Sequence, residues 1–342
     1  MGTFTLHHEE PRRGIVVLEM ARSGSLLQPT VLGERYYSKP PLHNWLILPL
    51  YPVMEKAPEF VLRFPSVVFT IVTCVLLFWF TGAFFSGELP LLATMVFSTS
   101  FMVLFGYASK CEPDALFTLV VFSSVAFWFY LLEKGRHLPA WTLGYFFVSL
   151  GLLTKGFPAL HFFLLSVLAL AVTRRDFRFI FTASHLLGFL AGIAPFLLWL
   201  CAVDAGRALS ALTAEVLSRS PKAFDWSSLK AYITFPFRFL LAGFPWTFVV
   251  LLRLGRHPLP ALDRTAKFLL LSCAFNIGVY WLFPGSRLRY TMPVFPLLSV
   301  VTALLLEDFG LRFTKARALL KSSVQLSVPA GILACLLATG KP

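Results

Sequence analysis

Carboxylates, cations and paired prolines concentrate in the first part of this 342-residue chain, in His7-His8-Glu9-Glu10-Pro11-Arg12 and Tyr36-Tyr37-Ser38-Lys39-Pro40-Pro41. Adjacent side chains on a helix diverge by about 100°, so one of Glu9 and Glu10 can face a cleft while the other pairs with Arg12 or Arg13. A carboxylate so placed can act as general base toward a hydroxyl or amine, or ligate a divalent ion. It can equally be the acid-rich first turn that a helix macrodipole favours. Lys39 precedes two prolines that fix its backbone. A rigidly presented ammonium suits a phosphate, although a lysine snorkelling at a membrane surface reads the same way.

Further candidates lie between apolar blocks. Asp114, in Lys110-Cys111-Glu112-Pro113-Asp114, can cap the next helix or face Glu9 across a cavity. Lys155, in Thr154-Lys155-Gly156, interrupts an apolar run and must reach the surface or meet an anion. Arg287 and Arg289, with Tyr290, add cations at another helix mouth, so separated basic points could neutralise a phosphate leaving group. His8 and His43 could join Glu9 around a divalent metal, but they lack a compact ligand spacing. His161 and His185 lie in apolar segments and read as satisfied locally. There is no Walker loop, dinucleotide glycine fingerprint or GxSxG elbow, so no nucleotide cofactor is expected at the site.

These residues must be positioned by membrane-spanning helices. With 57% hydrophobic and 14% charged residues and mean hydropathy +0.74, the chain is too apolar for a soluble globule, and the alternation of a β-barrel is absent. An all-α, polytopic integral-membrane fold follows. Residues 9–24 read as an amphipathic helix on the outer face, and 42–54 as a second interfacial segment. Apolar segments are expected at 64–85, 89–107, 115–132, 141–153, 157–172, 180–200, 234–252, 266–283 and 291–306, with another at 323–339. The division is an outer catalytic region, 1–61, and a multi-span domain, 62–342, with a long outer loop near 201–233.

Threading the segments back and forth puts most of the basic connections on one side: Lys134 and Arg136; Arg174, Arg175 and Arg178; Arg253, Arg256 and Arg264; Arg312 to Lys321. The positive-inside rule makes that side cytoplasmic and puts Glu9, Lys39, Asp114 and Lys155 outside. The net charge of +13 is thereby assigned to membrane orientation, and nucleic acid is not an expected partner. An outer polar start with no apolar segment before it suggests a missing first span. Cys111 and Cys201 fall on the same side, where a disulfide is feasible.

The chain resembles the dolichyl-phosphate-mannose and aminoarabinose transferase family of glycosyltransferase family 39 type, with its GT-C membrane fold. The likeness rests on Glu9-Glu10-Pro11-Arg12, Tyr37-Ser38-Lys39-Pro40-Pro41-Leu42, Arg63-Phe64-Pro65-Ser66, Glu112-Pro113-Asp114, Leu153-Thr154-Lys155-Gly156 and Arg289-Tyr290-Thr291-Met292-Pro293, in that order. It implies transfer of a sugar from a polyprenyl-phosphate donor to a protein, glycan or lipid acceptor, outside a bacterial cytoplasmic membrane. By the same resemblance Glu9, Glu10 and Asp114 are the catalytic acids. Arg12, Lys39, Arg289 and Tyr290 hold the donor phosphate, Lys155 is a secondary donor-site residue, and Glu9 stands where the family usually has aspartate. A non-enzymatic lipid or solute transporter and an inactive homologue are the alternatives.

Overall fold

A computed structural model describes residue 6 and residues 9–54, 58–218, 226–255, 260–283 and 287–307. The polar start forms α1 (Glu10–Ser23). Pro11 suits its first turn, where a missing N–H costs no intrahelical bond. Gly24 ends it at φ 70°, its N–H donating to the Met20 carbonyl. A two-residue hairpin follows, β1 (Thr30–Val31) antiparallel to β2 (Glu34–Arg35), a small departure from the all-α expectation. Glu19 ties it to α1, accepting from the Leu32 backbone N–H at 2.6 Å and from the Thr30 hydroxyl. Beyond Pro40-Pro41 come two short interfacial helices, α2 (Leu42–Ile47) and α3 (Tyr51–Met54).

The apolar part consists of α4 (Pro58–Phe84), α5 (Leu89–Thr99), α6 (Asp114–Glu133), α7 (His137–Lys155), α8 (Pro158–Arg174), α9 (Ala183–Ala202), α10 (Ala205–Leu217), α11 (Trp226–Ala242), α12 (Trp246–Leu254), α13 (Arg264–Leu282) and α14 (Phe295–Glu307). Among the described residues five helical runs are long and apolar enough to cross a membrane: α4, α6, α9, α13 and 288–307, which contains α14. This is a predominantly helical, polytopic integral-membrane protein.

Four expectations change in detail. The 234–252 segment is α11 and α12 bent by 104°. Pro245 cannot donate to a continuing ladder, and the Thr247 hydroxyl covers the Leu240 carbonyl at 2.7 Å. The 89–107 segment breaks at Ser100, whose backbone is extended; a π-helical turn over Met102–Tyr107 follows, and Phe101 N–H bonds the Phe244 carbonyl at 2.9 Å. The stretch read as a loop near 201–233 carries α10 and the start of α11. Finally, α4 runs through the 61/62 boundary. The 323–339 segment lies outside the described residues.

The core is aromatic, with Phe129 stacked on Phe268 at 4.4 Å and Trp128 and Trp141 fully buried. Helices α7 and α9 approach closely because glycine faces α7: a Cβ at Gly188 would fall 2.4 Å from the Trp141 Cβ, and one at Gly192 2.5 Å from the Thr142 carbonyl. Exposed Ile71, Val75 and Leu198 suit a lipid-facing surface. Cys111 is buried and Cys201 exposed, both as free thiols, so the feasible disulfide is not formed.

Candidate functional site

The start of α1, the turn before α6, the end of α7, the C-terminal turn of α10 and residues 287–290 converge on a cavity of about 680 Å³. Glu9, Arg12, Lys39, Asp114, Lys155, Arg289 and Tyr290 all line it. Glu10 does not. Its buried carboxylate is held by Arg63 at 2.9 and 2.8 Å and accepts from the Cys111 backbone N–H at 2.8 Å. The diverging pair read from the sequence is thus resolved: Glu9 faces the cavity, and Glu10 locks α1 to α4 and to the turn before α6.

Arg12, Lys39, Lys155 and Arg289 are each held by an acid. Lys155 ends α7 and donates to Asp114 Oδ1 at 2.6 Å, with both side chains buried. Gly156 follows at φ 77°, where a Cβ would come within 2.9 Å of Leu212; glycine therefore allows both the turn and the close approach of α10. Arg289 pairs with Glu112, and its guanidinium lies 5.6 Å from the Tyr290 ring centroid and 5.9 Å from that of Tyr107. Lys39 meets Glu215 of α10 at 2.6 Å. Glu9 accepts from Arg12 at 2.8 Å and lies 3.9 Å from Arg13, which donates to the Tyr36 hydroxyl at 3.2 Å.

Burial, reinforced by the charge of Asp114, raises the pKa of Glu112 above the ordinary carboxylate value. Burial also holds His43 at a pKa of about 3, helped by the positive charge of Arg13. Neither ring nitrogen of His43 has a hydrogen-bond partner among the described residues, and the residue does not line the cavity. His8 lies outside the described residues. Among the described residues no group of three His, Cys, Asp or Glu side chains could hold a metal ion. The described carboxylates of the site each face a cation, and no step is assigned to a divalent ion.

Sequence reading passed over Glu112 and Glu215. Glu112 was only a neighbour of Asp114. Glu215 follows the buried Ala208 and Leu212 of α10 at seven and three residues, the helical spacing that marks a covered face; taking 201–233 as loop hid that signal. His185 is locally satisfied, bonded to Tyr145 and the Ile180 carbonyl. His161 is not, since its Nε2 is buried at the cavity wall without a partner among the described residues.

Residues 38–199 match the family model described as dolichyl-phosphate-mannose-protein mannosyltransferase. An undecaprenyl phosphate-alpha-4-amino-4-deoxy-L-arabinose arabinosyl transferase of Edwardsiella ictaluri is 30% identical over 208 residues, 59% of this chain and 37% of that protein. A protein of the same description from Pectobacterium atrosepticum is 28% identical over 316 residues, 88% of this chain and 55% of the relative. The chain thus spans between about a third and somewhat over half of these relatives' length. The crystal structure of ArnT from Cupriavidus metallidurans bound to undecaprenyl phosphate superposes with a TM-score of 0.72 at 16% identity, covering 98% of this chain and 62% of that one. The motif order, the cavity and the fold agree: the chain is similar to the ArnT-like, dolichyl-phosphate-mannose-protein mannosyltransferase-like proteins and shares their GT-C membrane fold.

Proposed function

We propose that this chain transfers a sugar from a polyprenyl-phosphate donor to an acceptor at the outer face of a bacterial cytoplasmic membrane. The observation that carries this reading is the convergence of Arg12, Lys39 and Arg289 with Glu9 in one cavity bounded by membrane helices. An acceptor hydroxyl or amine attacks the anomeric carbon as the bond from that carbon to the phosphate oxygen breaks. Glu9 takes the acceptor's proton, and the departing polyprenyl phosphate keeps the bonding electrons. Arg12, Lys39 and Arg289 stabilise the phosphate charge as it develops, so the leaving group needs no soluble nucleotide. The Asp114–Lys155 pair, 2.6 Å apart, fixes the cavity floor. The relatives named above act on undecaprenyl-phosphate-linked aminoarabinose by description, and one related structure holds undecaprenyl phosphate; both support a polyprenyl-phosphate ligand here.

Binding of undecaprenyl phosphate against undecaprenol in nanodiscs tests the phosphate role. Lys39→Ala should weaken the phosphate lipid by about tenfold or more, the size of a lost charge-assisted hydrogen bond, and leave undecaprenol unchanged. Equal weakening of both would make Lys39 a packing residue.

A further inference from the structure

The cavity has two chemically different ends. One carries the cations assigned to phosphate, and the other is a ring-lined wall built by α8 and α13. His161, the fourth residue of α8, lines the cavity there, and it makes no hydrogen bond among the described residues. An apolar side chain would fill that position without leaving a buried polar nitrogen unmatched. A buried imidazole nitrogen on a cavity wall with no hydrogen-bond partner among the described residues points to a ligand.

The wall also connects this imidazole to the phosphate end. The His161 ring lies 4.4 Å from Phe162 and 5.4 Å from Tyr280, and Tyr280 lies 6.4 Å from Tyr290. Tyr290 in turn has the Lys155 ammonium and the Arg289 guanidinium each 5.6 Å from its centroid. The ring wall therefore runs without a break from the cations to the imidazole, by way of Tyr290 and Tyr280.

We infer that the donor's sugar ring lies along this wall with a hydroxyl on His161, and that the wall selects a neutral, hydroxyl-bearing pyranose. This rests on the donor reading above. A neutral imidazole offers one donor and one acceptor, the complement of a hydroxyl, and aromatic faces suit the apolar side of a sugar ring. Neither α8 nor α13 contains an Asp or Glu, so an ammonium substituent on the ring finds no counter-charge from this wall. His161 is on this account a binding and specificity residue, separate from proton transfer by Glu9.

The full chain in nanodiscs should be titrated with undecaprenyl phosphate, its mannosyl ester and its 4-amino-4-deoxy-L-arabinosyl ester. The mannosyl ester should bind the wild type more tightly than undecaprenyl phosphate. His161→Phe keeps an aromatic plane and removes both nitrogens; it should weaken the mannosyl ester about three- to tenfold and move undecaprenyl phosphate by less than about twofold. If that variant folds poorly, the wild-type His161 ¹⁵N-imidazole resonances serve instead, and should shift with the mannosyl ester but not with undecaprenyl phosphate. Equal weakening of both lipids, no effect on the mannosyl ester, unmoved resonances, or a His161-dependent gain only for the aminoarabinosyl ester would overturn the inference. If undecaprenyl phosphate binding depends on Lys39 while His161 has no effect, the sugar wall alone fails. If the wild type binds no phosphate lipid, the donor reading fails and the inference falls with it.

Discussion

Glu9 and Glu10 are neighbours in sequence with opposite environments. Glu9 lines the cavity, whereas Glu10 is sealed against Arg63. Glu10→Gln leaves the Arg63 guanidinium without its bidentate partner and should lower stability by about 3 kcal/mol, read as a lower thermal midpoint in detergent. His43 supplies a pH dependence of stability. Its folded pKa of about 3 lies below its ordinary value of 6.5, so between these values the unfolded chain binds a proton that the folded one excludes. Its contribution is present above about pH 6.5 and falls as pH drops toward 3, by at most about 1.4 kcal/mol per pH unit. Since neither ring nitrogen is hydrogen-bonded among the described residues, His43→Phe should be neutral or stabilising at pH 7 and should flatten the loss of thermal midpoint between pH 7 and 5. An unchanged pH slope would remove His43 from that account.

At the scale of elements, α10 places a carboxylate on the lysine assigned to phosphate. Glu215 and Lys39 stand 176 positions apart in sequence and 2.6 Å apart in space. Donor phosphate must compete with that carboxylate for the same ammonium. Glu215→Gln should therefore raise undecaprenyl phosphate affinity severalfold and steepen its salt dependence, whereas Lys39→Ala should flatten it; a fall in affinity would show that Glu215 helps to orient Lys39. This pairing also marks where sequence reading stops. Glu9, Arg12, Lys39, Asp114 and Arg289 are legible because local motifs and the parity of apolar segments bring them to one side. Glu215 and His161 gain meaning only from contacts between distant helices, and no periodicity encodes those. The break at Ser100 and the 104° bend at Gly243-Phe244-Pro245 escaped because hydropathy registers apolar length and not whether the backbone ladder is continuous.

Over the whole molecule, an aromatic helix bundle carries its polar groups in opposed pairs around one cavity. The Glu133–Arg174 pair joins the far ends of α6 and α8, while the Asp114–Lys155 pair fixes the cavity ends of α6 and α7. That arrangement lets a rigid apolar frame hold Arg12, Lys39, Lys155 and Arg289 beside a lipid phosphate, each paired with a carboxylate in the absence of donor. On the proposed function, this frame presents Glu9 as the base for sugar transfer. Its most direct test is release of polyprenyl phosphate from a glycosylated polyprenyl-phosphate donor in proteoliposomes, supplied with bacterial membrane lipids and proteins as acceptors. Glu9→Gln keeps the side chain's size and removes its basicity, so release should fall by about 10²-fold or more while donor binding stays within about twofold. Undiminished release by Glu9→Gln would contradict the claim.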